Sequence, residues 1–100
     1  MTYTFPMREA EVLRAIAEDG VDALDLLREA DSTLEAEFKR VDAALRRLRA
    51  RAQTYFPAAQ YYTASGGFNL LLGSPHDRRV RPQQQVVALH GEAMIGDGDW

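Results

Sequence analysis

The strongest chemical potential in the chain lies between residues 39 and 51. This segment carries six basic side chains, Lys39, Arg40, Arg46, Arg47, Arg49 and Arg51, against one acid, Asp42. On a helix, Lys39 and Arg46 share one column, Arg40 and Arg47 share the next, and Arg51 lies one turn beyond Arg47. Guanidinium forks match phosphate and carboxylate oxygens bidentately. Lys39, Arg40, Arg46, Arg47 and Arg51 are therefore a candidate anion or nucleic-acid face. The plainer reading is a solvated helix face, partly neutralised by Glu35, Glu37 and Asp42, with its cations suited to the negative end of the helix dipole. That reading is preferred.

Other chemistry is thinly supplied. His76 is followed by Asp77, and His90 lies near Glu92, but neither pair has a metal-ligand spacing and both histidines sit beside turn residues. Asp97-Gly98-Asp99 opens like a calcium loop without its remaining ligands. No Ser occupies a Gly-x-Ser-x-Gly elbow, and no Gly-Lys-Ser/Thr follows Gly66-Gly67 or Gly73 to form a phosphate loop. With no cysteine there is no thiolate nucleophile, disulfide framework or cysteine-held metal. The expectation is a non-enzyme with no catalytic residue, metal or cofactor.

Composition fits a small globular chain. Hydrophobic residues make up 46% and charged residues 27% of the 100 residues, too apolar for a disordered tail and too charged for a membrane span. The longest apolar run is Leu70-Leu71-Leu72, and Met1 to Pro6 has neither the basic start nor the apolar stretch of a secretory signal. A cytoplasmic location without membrane contact is expected. The net charge of -3 is unevenly spread. Residues 8–37 hold three Arg against ten carboxylates, residues 39–51 sum to +5, residues 77–81 add +2, and residues 92–100 add -3. The overall sign disfavours indiscriminate nucleic-acid binding and leaves one local basic patch.

The elements that must position these groups are three helices followed by strands. A first helix opens after Pro6, with Val12, Leu13, Ile16 and Ala17 as its inward stripe, and stops at Asp19-Gly20. A second spans Val21 to Ala30 with Val21, Leu24 and Leu27 inward. Ser32 and Glu35 make a capping-box pattern that starts a long third helix ending near Tyr55, before Pro57. Gln60 to Ala64 favours strand. Phe68 to Leu72, apolar on both faces, reads as a central strand. Gln84 to His90 reads as a third strand, with turns at Ser65-Gly66-Gly67, at 73–77 and at His90-Gly91. The aromatics Tyr55, Phe56, Tyr61, Tyr62 and Phe68 are expected mostly in the core, with Tyr61 or Tyr62 partly exposed. The fold class is α+β: N-terminal helices, the third one long, packed on a small antiparallel sheet of two or three strands. One domain over 1–100 is expected, helical at about 7–56, β at about 59–95, with a flexible tail at 96–100.

The third helix has one more feature. Leu34, Phe38, Val41, Leu45, Leu48, Ala52 and Tyr55 are spaced 4, 3, 4, 3, 4, 3, an unbroken heptad seam. Leu34, Phe38, Val41, Leu45 and Leu48 form the candidate dimer or partner seam, unless the chain's own elements cover it. An antiparallel pair would set acidic Glu35 and Glu37 against basic Arg49 and Arg51. The expected function is that of a small interaction or regulatory protein, homodimeric, binding another macromolecule, with a protein partner favoured over nucleic acid. Its size and composition are those of small accessory proteins of bacteria and phages. The alternative is a winged-helix-like DNA-binding regulator, on element order alone, with the basic long helix as the reading element. A small enzyme ranks third.

Overall fold

A computed structural model describes residues 3–64 and 67–93. Three α-helices, α1 (Glu9–Asp19), α2 (Ala23–Ala30) and α3 (Leu34–Tyr55), precede three strands, β1 (Gln60–Ala64), β2 (Gly67–Leu71) and β3 (Val87–Gly91). The strands form one antiparallel sheet in the order β1-β2-β3. The α+β class therefore holds, and β2 is central as its two-sided apolar character requires. The tail at 96–100 and the turn residues Ser65 and Gly66 lie outside the described residues. The chain divides into two compact units, Met1–Ala43 and Ala44–Trp100.

In the first unit, α1 starts at Glu9 rather than directly after Pro6, with Arg8 as its N-cap. It stops at Gly20, whose φ of 68° is the left-handed conformation that glycine adopts without a Cβ penalty. The Asp22 side chain caps α2 by accepting the Asp25 N–H at 2.8 Å. The buried residues are Ala15 and Leu26, not the stripes expected from periodicity. Leu13, Ile16, Leu24 and Leu27 remain exposed. Two short helices can cover only one narrow line on each other, here Ala15 of α1 and Leu26 of α2.

The expected Ser32–Glu35 capping box does not form. The Asp31 side chain instead accepts the Thr33 N–H at 2.9 Å and its hydroxyl at 2.6 Å. The Glu35 carboxylate is drawn to Arg28, at 2.7 and 3.0 Å. A bidentate charge-assisted pair outcompetes a single neutral N–H for the same oxygens.

In the second unit, β2 contributes the core. Leu70 and Leu71 are buried, and Leu71, at 1% exposure, is the largest fully buried side chain among the described residues. The Tyr61 hydroxyl donates to the Leu45 carbonyl on α3 at 2.7 Å, and its ring meets Phe68 edge-on. Gln53 donates to the Ala59 carbonyl at 2.9 Å, tying the end of α3 to the chain entering β1. Tyr55, Phe56 and Tyr62 are exposed and Tyr61 and Phe68 are half-buried, so the expected aromatic core does not form. The third strand also differs. Gln84–Val86 is a short 3-10 turn and the strand begins at Val87, running through His90-Gly91, which is strand rather than turn. The Leu72 N–H donates to the Val86 carbonyl at 2.9 Å, which holds that turn beside the end of β2.

Candidate functional site

Two surfaces could carry function: the apolar face of α3 and a cavity on one face of the sheet.

α3 is a 22-residue helix with no buried residue. Along its seam, Leu34 is 42% exposed, Phe38 75%, Val41 51% and Leu48 42%. Leu45, above Tyr61, is half-buried, as is Ala52. Leu48, Arg51, Ala52 and Tyr55 stand at i, i+3, i+4 and i+7. Together with Thr54 they line a hollow of about 300 Å³. Four residues at that spacing are the kind of hole into which a neighbouring helix inserts one side chain.

The basic residues of α3 are unequally engaged. Lys39 lies 3.4 Å from Glu35, and Arg40 pairs with Glu37. Asp42 and Arg46 also have interactions within the chain. Arg47 and Arg51 make no ion pair among the described residues. The five candidate anion-binding residues thus share a helix but do not converge on one point. Glu35, held by Arg28 and then by Lys39, has its carboxyl pushed down to about 2.

The second surface was not legible as a site. Tyr62 on β1, Asn69 on β2 and His90 on β3 are directly opposite one another across the three strands. A bulge in β3 shifts the register between Leu70 and Leu71, so Leu71 pairs with Val87 while Asn69 pairs with His90. Residues three apart on a regular strand point to opposite faces. The extra residue brings Val87 and His90 to the same cavity, a common use of a bulge. Gly67 permits the close approach, because a Cβ there would collide with the Gly91 carbonyl and come within 3.0 Å of the His90 ring.

Asn69 is only 7% exposed. Its Nδ2 donates to the Tyr62 carbonyl at 3.2 Å and the Ala64 carbonyl at 3.5 Å, and its Oδ1 lies 2.7 Å from His90 Nδ1. With the amide N–H groups committed to two carbonyls, the oxygen faces the imidazole. His90 must donate from Nδ1, which leaves Nε2 unprotonated in the neutral ring.

The segment after β2 walls the cavity and is firmly braced. The Gln83 N–H donates to the Pro75 carbonyl at 2.8 Å, and the Gln83 amide to the Ser74 carbonyl at 2.9 Å. His76 and Pro82 form a β-bridge, and the Ser74 hydroxyl donates to the His76 carbonyl at 2.7 Å. Asp77 Oδ1 accepts the N–H groups of Arg79 at 2.8 Å and Arg81 at 3.1 Å, while Oδ2 accepts from Arg81 Nε. Its carboxyl is lowered below the ordinary value, first by the Arg81 N–H. The cavity measures about 540 Å³. No group of three or more His, Asp or Glu residues among the described residues is placed to hold a metal ion. No helix among them is long and apolar enough to cross a membrane.

His76 and His90, which the chain order separates, meet at this cavity, whereas Asp77 is committed to the loop backbone. The one signal that could have pointed here is Asn69, a polar residue inside an otherwise apolar central strand. Comparison with protein-family models, curated proteins and solved structures found no match to this chain.

Proposed function

We propose that the chain is a non-catalytic interaction protein that works as a homodimer, with two copies paired antiparallel along α3, and that the dimer acts by binding another protein. The observation that carries this reading is the exposure of Leu34, Phe38, Val41, Leu48 and Tyr55, with Leu45 and Ala52 half-buried between them, on a helix with no buried residue. A helix of this kind draws most of its stability from burying an apolar face. Contiguous exposed apolar surface is characteristic of association sites.

Shape and charge both favour a second copy as the occupant. With the two-fold axis at Leu45, the antiparallel layers are Leu34 with Tyr55, Phe38 with Ala52, and Val41 with Leu48. Phe38, 75% exposed, then meets the hollow at Ala52. Large-against-small pairing fills space without strain. A parallel pair would set Phe38 against Phe38 and Ala52 against Ala52, crowding one layer and emptying another. The antiparallel pair also brings the acidic first turns, where Glu35 already holds Arg28 and Lys39 and Glu37 holds Arg40, to the end of the helix that carries Arg49 and Arg51, adding to those pairs. A protein target is favoured over nucleic acid because Lys39 and Arg40 are already paired with carboxylates of the chain and the net charge is -3.

Sedimentation equilibrium on the full chain tests the pairing. The expected species has twice the 11.2 kDa mass of the chain. A folded monomer at high micromolar concentration overturns the proposal.

A further inference from the structure

The sheet cavity stands apart from the α3 seam and implies a second activity. We propose that it binds a small, uncharged aromatic molecule carrying one N–H or O–H donor, which it offers to Nε2 of His90.

The cavity's size comes first. About 540 Å³ lies within the range of small-molecule sites, which combine apolar walls with a few placed polar groups. Its lining includes no Asp, Glu, Lys or Arg. Tyr62, Val87 and His90 are exposed, so an ionic ligand would shed only part of its hydration there, but it would find no opposite charge to meet it. An uncharged ligand needs none.

The walls favour a flat ring. Tyr62 and His76 meet edge to face, with ring centres 6.1 Å apart. Pro75, Pro82 and the exposed Val87 add apolar surface, with the buried Leu71 beneath. The Gln83 and Asp77 hydrogen bonds fix the loop, so the cavity is largely formed in advance.

The polar anchor is His90. Placing an amide in the most buried strand is costly unless every polar atom is matched. Asn69 meets that condition in a way that also sets the His90 tautomer. Nε2 makes no hydrogen bond among the described residues and belongs to a side chain lining the cavity. It is the acceptor that a donor-bearing ring would satisfy.

Indole is a suitable probe: it is planar, uncharged and has one N–H. Titrated into the isotopically labelled full chain, it should shift the amide resonances of Tyr62, Asn69, His76 and His90 saturably. It should also shift the His90 Nε2 resonance. 1-Methylindole, which has lost the donor, should bind roughly three- to tenfold more weakly, the loss expected for one neutral hydrogen bond. In His90→Phe the two probes should bind equally. If that variant does not fold, the Nε2 resonance of the wild type decides, moving with indole and staying with 1-methylindole. The proposal is overturned if indole produces no saturable shift, if the two probes bind the wild type alike, or if benzoate binds more tightly than indole.

Discussion

α3 and β2 use their apolar residues in opposite ways. α3 extends for 22 residues and buries none of them, whereas β2, with five residues, buries both of its leucines, Leu70 and Leu71. Each was recognisable as apolar from its pattern, but only β2 spends that character inside the chain. The difference follows from geometry. A central strand has a neighbour on each edge, and their side chains flank its own on both faces. A helix seam needs a second helix of similar length lying along it, and α1 and α2 have 11 and 8 residues.

The sharpest way to break this comparison is to remove one side chain from each region. Leu71→Ala should cost about 2–5 kcal/mol, the range for emptying a well-packed leucine site, at every protein concentration. Phe38→Ala should leave stability at low concentration almost unchanged and lower the denaturation midpoint only where dimer is populated. Urea unfolding at two widely separated protein concentrations measures both. An equal, concentration-independent loss in Phe38→Ala would mean that α3 packs within its own chain.

Next in size is the charge test of the pairing direction. Arg49→Glu combined with Arg51→Glu reverses four charges per dimer and leaves the apolar seam intact. Exposed pairs contribute about 0.2–1 kcal/mol each, so dimer dissociation should strengthen roughly ten- to a hundredfold. Sedimentation equilibrium provides the readout. An unchanged constant would remove the electrostatic case for the antiparallel arrangement.

The junction between α3 and the sheet offers a smaller effect. Tyr61→Phe keeps the ring against Phe68 but deletes the hydroxyl bond to the Leu45 carbonyl. The expected loss is about 0.5–1.5 kcal/mol in urea denaturation, the net value of one intramolecular hydrogen bond. No loss would mean that this carbonyl finds an equally good donor in water.

How much of this was legible depended on the range of the interaction. The three helices, β1 and the central place of β2 follow from local pattern, and those elements appear close to where they were expected. The Ser32–Glu35 cap failed because Arg28, seven residues from Glu35, offered a stronger bond than the local N–H. The inward stripes of α1 and α2 held only at Val12 and Val21, which are half-buried, because periodicity gives a face but not what covers it. The heptad seam was visible residue by residue, and its exposure could be learned only from the fold. The sheet cavity was hidden for a different reason. His76 and His90 each looked like a lone turn residue. A bulge and strand register, neither of which leaves a local signature here, bring them together. Asn69 alone broke the pattern, and a single polar residue in an apolar run does not reveal its partners.

The smallest expected effect concerns Glu35, at the start of α3, and it sharpens the picture of how the helix begins. Its carboxylate accepts from Arg28 Nε at 2.7 Å and Nη2 at 3.0 Å, with Lys39 Nζ at 3.4 Å. Chiefly through the Arg28 bonds, its folded value lies at about 2, below the ordinary 4.5. A lowered folded value means that the unfolded chain takes up the proton first as pH falls. The contribution of this group to stability is therefore fully present above 4.5 and drains away as pH drops toward 2. Because the pair is open to solvent, the effect is small and weakens with added salt. A carbon-detected NMR titration of the Glu35 carboxyl should show its midpoint well below 4.5 at low salt and moving upward as salt is raised. The stability difference between the wild type and Glu35→Gln should shrink over the same acid range. A midpoint at the ordinary value would show that Arg28 does not hold Glu35 in solution, and the missing Ser32 capping box would then need another cause.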